Sequence, residues 1–193
     1  MVFEPSAGIP PGYCAEFWRS RRDKAARTRG LIIRAVTTPP GTHKAADGLL
    51  TVAPITIETA IRLRRAAIRP NDIDDQLCRY LGDGDTDALH LGACVDDMVV
   101  GSISCVPDPL VLDGVLYPWR RRGFCILPAH RACGIGRWFY GMFLAELCAR
   151  NMIPTWGTSR EGLIPFYETF GLRRTDSVVN FPGTGLHRVC LYS

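Results

Sequence analysis

Arg131-Ala132-Cys133-Gly134-Ile135-Gly136-Arg137 stands between an apolar run ending at Pro128 and a long apolar segment with helical spacing. A strand, a turn with two glycines one residue apart and a helix start would gather several backbone N–H groups around one point. The helix dipole adds partial positive charge there, so the turn suits a phosphate or pyrophosphate. Gly134 and Gly136 let the main chain approach an anion that a Cβ would hold away. The phosphate loop GxxxxGK[ST] is excluded, because no Lys-Ser/Thr pair follows Gly136. The full GxGxxG dinucleotide fingerprint is absent too, since only two glycines are present and the strand comes late in the chain. Taken alone, the stretch also reads as a tight strand-to-helix connection with no ligand.

The chain has 193 residues, 47% of them hydrophobic, enough for a sizeable core in one domain with an appendage. No stretch reaches about 18 continuous apolar residues, so no membrane span is expected. The start, Met1-Val2-Phe3-Glu4-Pro5-Ser6-Ala7-Gly8, lacks the basic and apolar regions of a secretory signal, which predicts a cytoplasmic protein. The eight cysteines (14, 78, 94, 105, 125, 133, 148, 190) include no CxxC pair and no His at ligand spacing, so no metal site is expected. Cys94, Cys105, Cys125 and Cys148 lie in apolar runs and read as small buried hydrophobes with reduced thiols.

The net charge of +4 is unevenly placed, because residues 1–50 hold eight Lys/Arg against four Asp/Glu. Arg19, Arg21, Arg22, Lys24, Arg27 and Arg29 make most of that surplus. They read as a solvated helix face or arm, or as a contact for a polyanion such as RNA. No zinc finger, aromatic RNA-binding signature or heptad repeat accompanies them.

Residues 1–12 carry Pro5, Pro10, Pro11 and Gly12 and should be irregular, and a basic helix is expected near 14–29. Thr37-Thr38-Pro39-Pro40-Gly41 is a break, and 41–48 read as a linker. The division is thus a partly helical, basic extension over 1–48 and a main domain over 49–193. A strand near 50–56 precedes a helix in which Ile57, Ile61 and Ile68 share a face, with Arg62, Arg65 and Arg69 mostly elsewhere; Pro70 ends it. Gly82-Asp83-Gly84-Asp85 reads as a surface turn. Ala88–Val95 and Met98–Pro107 flank Asp96-Asp97 as a β-hairpin, and Val115–Leu127 should be a third adjacent strand, bulged near Pro118. A helix from about Gly134 to Arg150 carries Trp138, Phe139, Phe143, Leu144 and Leu147 at core spacing. A buried strand at Ile153–Gly157, a short helix to Phe170 and strands at Asp176–Phe181 and His187–Tyr192 complete the order. It predicts an α/β fold, a mixed sheet with helices on its faces.

Three features together resemble the GNAT superfamily of acyl-coenzyme A N-acyltransferases. Arg131-x-x-Gly134-x-Gly136 matches the family's Q/R-x-x-G-x-G/A pyrophosphate signature. Phe166-Tyr167-Glu168-Thr169-Phe170-Gly171-Leu172 is close to its FYxxxGF, and about 30 residues with one helix and one strand separate the two. The likeness covers roughly residues 50–193. It implies the GNAT fold, a mixed and mostly antiparallel sheet with helices on both faces, here with an extra N-terminal segment. It also implies that coenzyme A lies between the family's splayed fourth and fifth strands.

On this resemblance, acetyl-CoA or another acyl-CoA is the co-substrate and no metal takes part. The pyrophosphate would meet the amides of Cys133, Gly134, Ile135, Gly136 and Arg137, with the side chains of Arg131 and Arg137 as further phosphate contacts. The pantetheine arm would add to the strand edge at Phe124-Cys125-Ile126-Leu127 by main-chain hydrogen bonds. The amide of Ile126 would stabilise the developing oxyanion, a donor worth roughly 3–4 kcal/mol where removed in other enzymes. Tyr167 maps onto the tyrosine that protonates the departing thiolate, and its reference pKa of about 10 lies near a thiol's, about 8.5. Packing, as for Phe166, is the other reading of Tyr167. Gly171 reads as a left-handed helix cap, and Thr158 with Glu161 has capping-box spacing.

Some positions depart from the family pattern. Gly157-Thr158-Ser159 stands where Asn is frequent, and Ala132 replaces a common glycine. Trp119-Arg120-Arg121-Arg122-Gly123 has no carboxylate where many relatives place a general-base Glu. His90 and His187 are the candidate bases, since a reference pKa of about 6.5 suits proton uptake near neutrality. An amine of low pKa or a water relay would need neither.

In a strand Arg120 and Arg122 share one face and Arg121 takes the other. If the first face opens on the acceptor cleft, an acceptor with a carboxylate or phosphate would be favoured; otherwise these are strand charges paired with Asp108 or Asp113. The expected activity is acyl transfer to the amine of a small molecule, without a membrane partner and compatible with a homodimer. Nucleic acid enters only if charged tRNA is the donor, and a non-catalytic acyl-CoA-binding module is the third alternative.

Overall fold

The computed structural model describes residues 34–36, 50–71 and 74–193. The expected basic helix near 14–29, its arginine cluster and the linker at 41–48 lie outside the described residues. At one sheet edge β1 (Arg34–Val36) pairs antiparallel with β2 (Leu50–Pro54). Thr56 then caps α1 (Ile57–Ile68), its side chain accepting from Thr59 N–H. Two hairpins form the middle of the sheet. Asp96, with φ of 50°, lies in the turn from β3 (Leu89–Val95) to β4 (Met98–Leu112). Asp113 and Gly114, with φ of 52° and 73°, join β4 to β5 (Val115–Ile126) in the left-handed geometry that matches strand twist.

After β5 come α2 (Ile135–Ala149), β6 (Thr155–Arg160), α3 (Ile164–Glu168), β7 (Arg173–Phe181) and β8 (Gly185–Tyr192). The strand order is β1-β2-β3-β4-β5-β6-β8-β7. Every neighbouring pair is antiparallel except β5 and β6. These two run parallel and share only the rungs Trp119↔Thr155, Arg120↔Trp156 and Arg121↔Gly157. Beyond Arg121 they part, and β5 continues to Ile126 with no strand on that edge among the described residues.

A bulge accompanies the parting. Ser104 faces Arg122 and Ser102 faces Cys125, so Gly123 and Phe124 together oppose Ile103. Gly123 has φ of 66°, and a Cβ there would collide with the Arg64 guanidinium. A bulge of this kind bends its strand and increases local twist. A second one, in β4 at Asp108 and Pro109, stands opposite Pro118, where the sequence predicts irregularity.

The sheet buries a different core on each side. Ile103, Trp119, Phe139, Phe143 and Leu147 belong to the larger one, between the sheet and α2. Leu110, Tyr117, Trp156, Val189 and Leu191 form the smaller. Facing α1, the buried centre is polar. Arg64, fully buried, donates from Nη1 to Asp83 Oδ2 (2.5 Å) and from Nη2 to Asp83 Oδ1 (3.1 Å). It also reaches Cys78 O and Ser104 Oγ at 3.1 and 2.6 Å.

This pair corrects the expected surface turn at 82–85. The turn exists, but Asp83 points inward, because α1 places Arg64 where only a carboxylate can compensate it. Other boundaries move as well. β6 starts at Thr155 and runs to Arg160, so Thr158 is mid-strand and makes no capping box; Glu161 accepts from Arg188 Nε instead. Gly171 is left-handed after α3, with φ of 83°, as its sequence position predicts. Cys94, Cys105 and Cys125 are buried, but Cys148 is exposed, since it lies on the solvent side of α2. Among the described residues no helix is long and apolar enough to cross a membrane.

Replacing Asp83 by Ala strands the Arg64 charge in the interior. Urea unfolding should show a loss of about 3–5 kcal/mol for Asp83→Ala, the range for a buried ion pair broken on one side.

Candidate active site

The gap left by β5 and β6 ends at the glycine turn. Leu127 N–H donates to Val100 O at 2.8 Å, so strand alternation turns the neighbouring Ile126 amide away from β4, toward the gap. A single 3-10 turn, Pro128–His130, then leads to Ala132 (φ 59°) and Gly134 (φ 86°). Gly134 is the N-cap of α2, and no side chain caps the helix. Trp138 N–H bonds back to Gly134 O, whereas the amides of Ile135, Gly136 and Arg137 precede the first residue able to do so. Left-handed residues on either side of Cys133 concentrate N–H groups in a concavity of the type that binds anions.

The side chains around this turn face the protein. Arg131 donates from Nε to Ile126 O (2.8 Å) and from Nη2 to Ala67 O (2.9 Å), strapping the end of α1 to the end of β5. Arg137 reaches Thr169 Oγ1 at 3.1 Å, its guanidinium 5.5 Å from the Phe170 ring centre. Cys133 Sγ donates to His130 O. What this turn could offer an anion is therefore its main chain, since both arginines are already engaged.

Phe124 points to the α2 side and opens an aromatic cluster. Its ring lies 5.2 Å from Tyr140, 6.3 Å from Tyr167 and 5.9 Å from Phe166, stacked on the last. Tyr140 and Tyr167 are 5.1 Å apart in edge-to-face contact. Beneath them Arg121, on the last β5–β6 rung, donates to Thr155 Oγ1 (2.7 Å), Tyr140 Oη (2.7 Å) and Cys190 O (3.0 Å). It forms no ion pair with a carboxylate among the described residues. Burial pushes the Tyr167 phenol far above its ordinary value; Tyr140 adds to this and the Arg121 charge opposes it. Burial likewise raises Tyr140, against Arg121. Tyr167 is thus held protonated, a hydrogen-bond donor beside the gap.

His90, Arg120 and Arg122 lie on the opposite face. His90 Nε2 meets Asp83 O at 2.8 Å, so this nitrogen carries the proton, and Nδ1 meets Ser104 Oγ at 2.7 Å. Ser104 already accepts from Arg64, which leaves its own proton for His90 Nδ1. Both ring nitrogens are occupied. Arg120 pairs with Asp108 at 2.9 Å and lies 4.3 Å over the Trp156 ring. Arg122 lies 4.3 Å over Tyr80 and donates to Leu81 O at 2.9 Å.

His187 stands apart near the start of β8, edge-on to Phe181, with Nδ1 2.9 Å from Gly185 O. Its Nδ1 therefore carries the proton and Nε2 is the basic atom. Burial lowers its pKa, Arg160 and Arg69 lower it further, and the Gly185 carbonyl opposes them.

The structure thus brings Phe124, Ile126, Tyr167 and the turn at 133–137 around one gap, and sets Arg120, Arg122 and His90 across the sheet. Tyr80 and Tyr140 escape the sequence reading, whereas Asp108, offered there as a partner for these strand arginines, pairs with Arg120. Tyr140 lies one turn before Phe143 and Leu144, so helical spacing could have found it. Nothing local in the sequence marks Tyr80.

No protein-family model and no curated protein sequence matches the chain. Solved structures do. Escherichia coli ElaA is similar at TM-score 0.56 and 18% identity, over 71% of this chain and 89% of that one. An aminoglycoside 6'-N-acetyltransferase complexed with coenzyme A aligns at TM-score 0.55 and 15% identity, covering 73% and 95% of the two chains. Arabidopsis thaliana Naa50, in complex with a bisubstrate analogue, gives 0.52 and 18% over 75% and 98%. The fold is that of the GNAT N-acyltransferases. Within the GNAT sheet, the opening between β5 and β6 lies where the sequence resemblance leads one to expect it.

Because His187 is depressed in the folded protein, the unfolded chain binds more protons just below pH 6.5. Stability contributed by this residue is full above the unfolded value of about 6.5 and falls as the pH drops through the window between the two values. The His187 imidazole NMR signals should titrate with a midpoint below that of a free histidine.

Proposed function

We propose that the protein is an acyl-CoA-dependent N-acyltransferase that moves an acetyl or other acyl group to the amine of a small molecule, by direct attack on the thioester. The observation that supports this most is the gap itself: a β5 edge that no strand among the described residues covers, running into helix amides without a side-chain cap. One wall offers hydrogen bonds to an extended amide-bearing arm, and its end offers a seat for a diphosphate. The amides of Cys133 to Arg137 would hold the pyrophosphate, and the edge from Phe124 to Ile126 would pair with pantetheine. Residues 49–193 form the catalytic unit in this reading, 1–48 are an extension that contributes β1, and the protein is cytoplasmic.

The chain's own groups then divide the chemistry. Ile126 N–H donates to the thioester oxygen as negative charge develops there. Tyr167 gives its phenolic proton to the sulfur as the C–S bond breaks. A phenol raised by burial releases that proton only to a thiolate formed beside it, which ties transfer to bond cleavage. Arg121, through Tyr140, supplies the positive charge nearest to the phenolate left behind. The amine must lose a proton, and His90 is a poor recipient because both of its nitrogens are bonded. His187 Nε2, set apart near the start of β8, takes this part through water, or the amine arrives neutral.

Calorimetry with acetyl-CoA tests the assignment. Ligand at 100 times its Kd should stabilise the protein by about 2.7 kcal/mol. Gly134→Val, which puts a branched side chain on left-handed backbone at the amide cluster, should abolish that gain. No binding at millimolar acetyl-CoA would overturn the reading.

Tyr167→Phe should lower kcat by about 100-fold while CoA affinity stays within twofold, as for loss of a general acid. Thiol release under saturating acetyl-CoA measures it.

A further inference from the structure

On the α1 side of the sheet, three guanidiniums share the interior with two carboxylates. Arg64 takes Asp83 in a two-bond pair, and Arg120 takes Asp108. Arg122 has neither. Its guanidinium stacks on Tyr80, whose ring lies 4.3 Å from Arg64 as well, so this phenol ring contacts two cations. Nη1 donates to Leu81 O, and the Nε, screened from solvent, has no hydrogen-bond partner among the described residues. Burial and, after it, the neighbouring Arg120 push this guanidinium down to about 9, against Tyr80, Asp83 and Asp108, which raise it.

Its place in the fold matters as much as its charge. Arg122 is the first β5 residue beyond the last rung with β6, and its β4 neighbour is Ser104. The side chain stands on the face opposite Phe124 and Tyr167, at the root of the same gap, four residues before the Ile126 amide. Arg120, on the same face, is one turn of the pleat deeper and already neutralised. The ring of Tyr80 and the Leu81 carbonyl fix the plane of the Arg122 fork, which leaves Nη2 free of protein acceptors among the described residues.

We propose that Arg122, seated on Tyr80, binds a carboxylate carried by the acceptor, so that the substrate class is amines that also bear a carboxylate. This rests on the transferase reading above. The planar fork accepts a carboxylate through two parallel hydrogen bonds, whereas one guanidinium leaves a phosphate dianion half neutralised. A bound carboxylate removes the charge excess of this face and anchors one end of the acceptor while its amine reaches the thioester.

The test compares matched ligands. Glycine, β-alanine, 4-aminobutyrate and 5-aminopentanoate are set against their carboxamides in acetyl-CoA turnover. The N-acetyl forms of both series are compared in binding by ligand-observed NMR, with and without CoA. At least one acid should exceed its amide by about tenfold in kcat/KM and in affinity. Arg122→Gln should reduce the preference to less than twofold, and Arg122→Lys, which keeps the charge and loses the fork, should fall between. Unchanged CoA affinity and melting temperature show that the variants are folded. Equal acid and amide, or a preference that survives Arg122→Gln, overturns the proposal, as does a stronger response to 2-aminoethyl phosphate than to every acid. Should CoA itself not bind, the transferase reading fails, while the acid–amide comparison without CoA still decides the role of Arg122.

Discussion

The parting of β5 from β6 after three shared rungs is the constraint on which the site depends. Two parallel strands would ordinarily continue to pair, since every unpaired rung leaves backbone groups without partners. Two features oppose continuation here. The bulge at Gly123 bends β5, with Arg64 occupying the space a side chain there would need. Arg121, on the last rung, ties β5 to β6 through Thr155, to β8 through Cys190 and to α2 through Tyr140. The strands are fastened at one end and free at the other.

That fastening has a chemical consequence. Among the described residues the buried Arg121 guanidinium beside the aromatic cluster is met by neutral oxygens and by no carboxylate. It opposes the effect of burial on both Tyr140 and Tyr167. The group that fastens the strands at the root of the gap is therefore also the cation that acts on the phenol proposed as proton donor. On the other face of the sheet the balance differs, because Arg64 and Arg120 each hold a carboxylate and Arg122 holds an aromatic ring and a carbonyl. In the proposed reaction one sheet thus separates the face of the leaving thiolate from the face of an anion on the acceptor.

Much of this was legible in residue order. The glycine turn, the aromatic segment at 166–172 and the alternation of Arg120, Arg121 and Arg122 across the strand all follow from local pattern, and the structure agrees with each. Apart from Asp108, which the sequence reading offers and Arg120 takes, the partners of those residues were not legible. Arg131 and Arg137 read as phosphate contacts by their places beside the turn, yet Arg131 is bound to Ala67 and Ile126 and Arg137 to Thr169. His90 and His187 looked alike as lone histidines. Ser104 and the Asp83 carbonyl occupy one of them, and only packing against Phe181 and the nearby arginines separates the other.

The sequence by itself determined where backbone could turn left-handed, which residues face each side of a strand and where a helix could begin uncapped. These are properties of short stretches, set by sterics and periodicity within a few residues. The tertiary structure decided which charges are compensated. Asp83 meets Arg64 across 19 residues, and Arg121 meets Cys190 across 69. Electrostatic balance in an interior depends on distance in space, and no local pattern encodes it.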